Sequence, residues 1–177
     1  MAGITLLVLA ALHPAAHADN LVKNADFSDV DAQGVPTGWK AYGNKQKLSA
    51  DTKEITGDAK QSLRIDIVAD GGKSLGQIVQ KISVTPNTRY LFKLDMKSTA
   101  SGVALGQIKL LVGSSEIERI ATDKSLAEWK TVEKEFDTGE ANMVWVVLRY
   151  FQREENVGQH VWFANPSLTE APSPATP

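Results

Sequence analysis

Apolar and polar residues alternate with a period of two along most of the chain, and the alternation predicts strands. Leu63, Ile65 and Ile67 alternate with Arg64, Asp66 and Val68, and after a loop at Gly71 and Gly72, Ile78, Gln80 and Ile82 alternate with Val79, Lys81 and Ser83. Thr85, Pro86 and Asn87 then predict a turn at which two antiparallel strands meet. Tyr90, Phe92, Leu94 and Met96 form an apolar face behind Arg89, Leu91, Lys93, Asp95 and Lys97, and Ile108, Leu110 and Val112 alternate with Gln107, Lys109 and Leu111. The segment Lys130 to Phe136 places Val132 and Phe136 on one side and Thr131, Glu133 and Glu135 on the other; Trp129 is out of phase, as in a bulge or a pre-strand loop.

Met143 to Phe151 is the richest run of β-branched and aromatic residues and predicts a central strand. Successive side chains point to opposite faces, so Val144, Val146, Leu148 and Tyr150 are expected in the core and Trp145, Val147 and Arg149 on the other side. Between Ser114 and Glu128 the apolar residues Ile117, Ile120 and Leu126 fit neither period, so this segment is expected to be mostly loop. Strands recurring about every ten residues with turn chemistry between them predict an all-β fold, a two-sheet antiparallel jelly-roll sandwich.

The domain limits come from the two ends. An apolar run from Ile4 to Leu12, then Pro14 and the small residues Ala16 and Ala18 around His17, predicts a signal peptide over residues 1–18, although no Lys or Arg precedes the run. The expected location is secreted or periplasmic, with the sandwich over 19–169. Residues 170–177, with three prolines among small residues, predict a disordered tail.

Composition narrows the chemistry. With 19 basic and 21 acidic residues, a formal charge of -2 and no cysteine, the chain offers no basic footprint for nucleic acid and no thiol chemistry. After leader removal His160 is the one histidine, which sets aside zinc, copper and most catalytic triads. No apolar run is long enough to span a bilayer.

Asn20, Leu21, Asn24, Asp26, Phe27, Gly38 and Trp39 occupy the places of a recurring opening pattern. The segment Ile55 to Leu63 and the closing stretch Val161 to Leu168 continue it. In these places the chain resembles carbohydrate-binding modules of the family 4, 9 and 22 group, which are galactose-binding-like jelly rolls. The resemblance implies a poly- or oligosaccharide partner.

If the strands beginning near Leu63, Tyr90, Gln107 and Met143 share one sheet, their outward side chains form one surface. These are Arg64 and Asp66, Lys93 and Asp95, Gln107 and Lys109, and Trp145 and Arg149. An indole plate among bidentate donors and acceptors suits the C–H face and the hydroxyls of a sugar ring. A solvated outer sheet carrying cross-strand ion pairs accounts equally well for the charged residues taken singly. Trp39 is expected in the core; Tyr42, Trp129 and Trp162 are secondary candidates.

Resembled modules commonly carry a structural calcium, but Ala164 stands where their closing strand supplies an Asp. A site built from Asp26, Asp29 and Asp31 would therefore be weak, and no cofactor is expected. Glu133 and Glu135, two residues apart on one strand face, are the remaining pair for glycoside cleavage. Alternating charge on an outer strand is the simpler explanation of them. The sequence thus predicts a secreted, non-catalytic carbohydrate-binding module, with a cell-envelope or extracellular protein-interaction sandwich as the rival.

Overall fold

Two alternating patterns facing one another can both bury their apolar phases only as stacked sheets, and the fold does this. The computed structural model describes residues 19–72 and 76–171. Ten strands follow in order: β1 Lys40–Tyr42, β2 Gln46–Asp51, β3 Ser62–Ile67, β4 Gly76–Ser83, β5 Arg89–Ser98, β6 Ala104–Val112, β7 Ser115–Lys124, β8 Lys130–Asp137, β9 Met143–Tyr150 and β10 His160–Glu170. A single 3-10 turn, Glu154–Asn156, precedes β10. The first sheet has the order β1-β4-β9-β6-β7 and the second β2-β3-β10-β5-β8, with every pairing antiparallel. The expected signal peptide lies outside the described residues, as does the tail from residue 172. The last strand continues to Glu170, and the Ala171 N–H donates to the Arg89 carbonyl.

The core sits between the sheets. Val144, Val146, Leu148 and Tyr150 of β9 face Tyr90, Phe92, Leu94 and Met96 of β5, all of them essentially inaccessible to solvent. Each such side chain contributes about 1.5–3 kcal/mol by leaving water. The opening motif is structural. The Asn20 side chain accepts from the Leu168 N–H (3.0 Å) and donates to the Pro166 carbonyl, while the Leu21 N–H donates to the Leu168 carbonyl, so the first residues clamp the closing strand. Phe27 packs on Trp39 with ring centroids 5.7 Å apart, and the Trp39 indole donates to the Lys23 carbonyl. Gln80, an inward polar residue of β4, accepts from the Lys23 N–H and donates to its carbonyl at 2.8 and 2.9 Å.

Three sequence expectations are corrected. First, the Thr85–Asn87 turn does not join a hairpin, because β4 and β5 belong to opposite sheets. Residues 84–88 cross the edge of the sandwich beside a second crossing at 138–142. The two crossings bond each other: Val84 N–H to the Asn142 carbonyl, Asn87 N–H to the Gly139 carbonyl, Thr138 N–H to the Thr88 carbonyl, and the Thr138 hydroxyl to the Thr85 carbonyl.

Second, Ser115–Lys124 is strand β7. It is an edge strand whose residues are nearly all exposed, with register shifts against β6, so it has no apolar phase to read. Third, β3 and β5 lie in one sheet and β6 and β9 in the other. The four strands expected to share a surface are therefore divided two and two.

Gly76 opens β4 against Tyr150. A Cβ there would lie 1.9 Å from the ring of this fully buried tyrosine. Gly76→Ala is expected to destabilise by about 1–3 kcal/mol through overpacking, read as a lower thermal midpoint. Tyr150→Leu in the same chain should return part of the loss, and an unchanged midpoint in the single variant would show that the contact is not tight.

Candidate functional site

The outer face of the first sheet is built from side chains that the register lines up in rows across neighbouring strands. One row reads Lys81, Trp145, Lys109 and Arg119 on β4, β9, β6 and β7. The next reads Lys40, Val79, Val147 and Gln107, and the third Tyr42, Gln77, Arg149, Leu105 and Lys124. Rows two residues apart along a strand are separated by about 6.6 Å, so Trp145 and Arg149 stand about 13 Å apart.

The floor of this face is closed. Val147 is 0% and Val79 4% exposed although both point outward. The ammonium groups of Lys81 and Lys109 sit 4.7 and 5.3 Å from the centre of the half-buried Trp145 ring, one from each side strand. Lys40 lies 5.1 Å over Tyr42, and Lys124 and Arg153 lie 5.5 and 5.3 Å over Phe151. Cations drawn to the negative faces of rings hold this geometry.

Two donors on this face are idle. The Trp145 Nε1 and the Arg149 Nε are buried with no hydrogen-bond partner among the described residues. Arg149 makes one long contact, Nη1 to the Gln107 Oε1 at 3.4 Å, and no carboxylate pairs with it among the described residues. Burial, followed by repulsion from Arg119, lowers its guanidinium below the ordinary arginine value. The carboxylate beside these rows is Glu116, the register partner of Leu111, which accepts from Arg119 and Lys109 at 2.5 and 3.2 Å. Against a burial that would raise it, those hydrogen bonds hold the Glu116 carboxyl below its ordinary value.

The second sheet's outer face has a different character, because most of its charges are paired, Lys47 and Asp95 excepted. Arg89 pairs with Glu135 at 2.5 Å, Lys93 with Glu133 at 2.6 Å and Lys97 with Glu54 at 2.5 Å. Arg64 donates to Asp66 at 2.7 Å and lies near Asp51. Asp95 accepts from Thr131 and Asn165. Trp162 is only 5% exposed: its indole donates to Asp51 at 3.0 Å, Arg64 and Lys97 flank its ring, and His160 meets its edge. An open depression of 480 Å³ lies among Asp26, Lys93, Asp95, Glu133 and Asn165.

The eight candidates therefore do not form one surface. Trp145, Arg149, Gln107 and Lys109 come together on the first sheet, while Arg64, Asp66, Lys93 and Asp95 are on the second, among ion pairs. Trp39 is core, Trp129 is half-buried in the loop before β8, and Trp162 is enclosed rather than exposed.

Lys81, Lys40 and Arg119 were not anticipated. Lys81 stands on the polar phase of its strand, but only the register sets it beside Trp145, and Arg119 belongs to the segment read as loop. The loop carboxylates are engaged locally. Asp26 accepts from Ser28, Asp31 from the Gln33 and Val35 N–H groups, Ala164 is buried, and no described group of three or more His, Cys, Asp or Glu is placed to hold a metal.

Comparison with known proteins gives three kinds of finding. Residues 19–152 match a family described as carbohydrate binding domain. A search of curated protein sequences finds no match. Among solved structures, the enzymatically active domain of tailspike protein 4 from bacteriophage CBA120 is similar at a TM-score of 0.66 and 13% identity, covering 86% of this chain and 21% of that one. This chain thus spans about a fifth of the tailspike. A family 61 carbohydrate-binding module in complex with β-1,4-galactotriose is similar at 0.63 and 15%, covering 87% and 100%. The family 22 xylan-binding domain from Paenibacillus barcinonensis is similar at 0.61 and 11%, covering 89% and 97%. At these identities the likeness is one of fold.

The enclosed Asp51 gives a pH test of the second face. Burial alone would raise its carboxyl, but hydrogen bonds from Trp162 and from the Lys53 and Glu54 N–H groups, with Arg64 nearby, hold it below the ordinary 3.8. A carboxyl depressed in the folded state stabilises fully above its unfolded value and loses that contribution as pH falls through the folded one. Asp51→Asn should lower the thermal midpoint by about 2–4 °C at neutral pH, and the gap should close in strong acid. A gap of constant size across that range would show that the charge contributes nothing.

Proposed function

The chain belongs to the carbohydrate-binding domain family, and from that premise we propose that it is a non-catalytic module that holds a poly- or oligosaccharide on the outer face of its first sheet. Trp145 is the stacking plate, and Gln107, Lys109 and Arg149 are its hydrogen-bonding partners, with Lys81 added by the register. The observation that carries this reading is the contrast between the two tryptophans on outer faces. Trp162 is enclosed and its indole N–H is bonded to Asp51, whereas Trp145 is half-exposed and its N–H has no partner. A half-exposed aromatic plate bordered by hydrogen-bonding side chains is what a sugar ring engages.

Two further parts of the reading have narrower support. The absence of catalysis rests on Glu133 and Glu135, each bound to its own cation on β5 and each half-exposed, so that neither is set in the apolar surroundings of a proton donor. Export rests on the apolar run and the Ala16 and Ala18 pattern ahead of the family match. Among the described residues no helix is long and apolar enough to cross a membrane.

Affinity electrophoresis and calorimetry against soluble β-glucans, xylan, galactan and pectins should show retention that Trp145→Ala weakens by about 30-fold or more, the loss typical of a central aromatic anchor. The thermal midpoint should change little, because Trp145 lies outside the core. No retention by any glycan would put the protein-interaction sandwich ahead. Reducing-end assays on the same substrates should register no release. Release abolished in Glu135→Gln would instead establish a glycosidase.

A further inference from the structure

Among the described residues, the first sheet's outer face carries six cationic side chains, Lys40, Lys81, Lys109, Arg119, Lys124 and Arg149, against the single carboxylate of Glu116. The whole chain has a formal charge of -2, so this is a local concentration and not a basic protein. The contrast with the second face sharpens it. There Arg64, Arg89, Lys93 and Lys97 each meet a carboxylate within 2.7 Å. On the first face only Arg119, at 2.5 Å, and Lys109, at 3.2 Å, meet a carboxylate among the described residues, and both share the same one. Lys40, Lys81, Lys124 and Arg149 have no carboxylate partner among the described residues.

Placing like charges on neighbouring strands is unfavourable unless something of opposite charge is to be bound. The cations are also set over the aromatic plates. For a neutral sugar ring to lie on Trp145, the Lys81 and Lys109 ammonium groups must leave the ring face and gain nothing in exchange. An acidic sugar removes that penalty: as its ring takes the place of the ammonium groups, its anionic substituents receive them on either side. Arg149 has no carboxylate partner among the described residues, its Nη1 reaching only the Gln107 Oε1 at 3.4 Å, and a carboxylate or sulfate offers acceptors and no donors.

We propose that the saccharide held on this face is an anionic polysaccharide, with carboxylate or sulfate groups engaging Lys81, Lys109 and Arg149 on either side of a ring stacked on Trp145. This rests on the carbohydrate-binding reading above and names its ligand class. Charged contacts at such a surface weaken as salt is added, whereas stacking on the indole does not. Specificity for sugar over other polyanions comes from the plate, because an acidic polypeptide has the charge without the ring.

The test is affinity electrophoresis and calorimetry of the full chain against polygalacturonate, alginate and carrageenan. Methyl-esterified polygalacturonate serves as the same backbone without charge, poly-glutamate as charge without sugar, and xylan, galactan and β-glucan as neutral glycans. The expected result is binding to at least one acidic glycan at least about tenfold tighter than to the neutral glycans and poly-glutamate, falling as salt is raised. Should polygalacturonate be the glycan bound, its methyl ester should bind at least about tenfold more weakly.

Arg149→Gln and the double variant Lys81→Gln with Lys109→Gln should each lose about tenfold or more with the thermal midpoint unchanged. Trp145→Ala should lose binding at every salt concentration. Equal or tighter binding of the neutral glycans, or of the methyl ester, would overturn the acidic-ligand inference and leave the carbohydrate reading standing. Binding of poly-glutamate as tight as that of the glycans would reduce the face to a general polyanion patch. Binding to no glycan at all would overturn both.

Discussion

The sandwich depends on two chain crossings that satisfy each other's backbone. Residues 84–88 and 138–142 leave their sheets at the same edge, where each would expose peptide groups to a partly buried environment. Unpaired buried groups of that kind cost about 1–3 kcal/mol each. Instead the Thr138 hydroxyl accepts from the Thr88 N–H and lies within reach of the Thr85 and Thr88 carbonyls, while Val84 and Asn87 donate to the opposite crossing. Once these crossings are fixed, β4 and β9 are committed to one sheet and β5 and β8 to the other. What each sheet shows to solvent follows from that commitment.

The core was legible in the sequence and the partition of the surface was not. Period-2 alternation identifies the inward phase of β3, β4, β5, β6 and β9, because burial acts on every second residue whichever sheet the strand joins. The same signal cannot distinguish a hairpin from a crossing, since Thr85, Pro86 and Asn87 serve either. Trp145 with Arg149, and Gln107 with Lys109, could therefore be chosen as outward residues but were assigned four partners that lie about a sandwich's thickness away. β7 was invisible for a different reason: nearly all its residues are exposed, and its register shifts interrupt what periodicity Ile120 and Thr122 supply. Motif reading succeeded where it concerned packing. Asn20, Phe27 and Trp39 recur in the resembled modules and here clamp the closing strand and the first loop.

The two tryptophans show how environment separates structure from recognition. Trp145 and Trp162 occupy corresponding positions, each in the middle of an outer face and each flanked by two cations. Around Trp162 the set is complete: Asp51 takes the indole proton, Arg64 is bound to Asp66, and Lys97 is bound to Glu54. Every charge has a counter-charge and the ring is nearly inaccessible, so little is left for a ligand to gain. Around Trp145 only Lys109 has a carboxylate, Glu116 at 3.2 Å, and Lys81 has none among the described residues, so the same arrangement of ring and cations is left incompletely neutralised.

A protein that neutralises one face so thoroughly could have neutralised the other, and the difference is informative because it costs stability. Lys109 and Arg119 are cross-strand neighbours and like charges so placed destabilise, each by some tenths of a kcal/mol at an exposed position. Glu116 relieves this at one end of the row only, and Arg149 is left half-buried with its Nε unbonded. Local rules of this kind are broken mainly where a partner completes the set. On the second face most such charges are paired. The asymmetry in charge pairing between the two outer faces is the ground on which the proposed binding surface is placed on the first, and it rests on charge pairing and register alone.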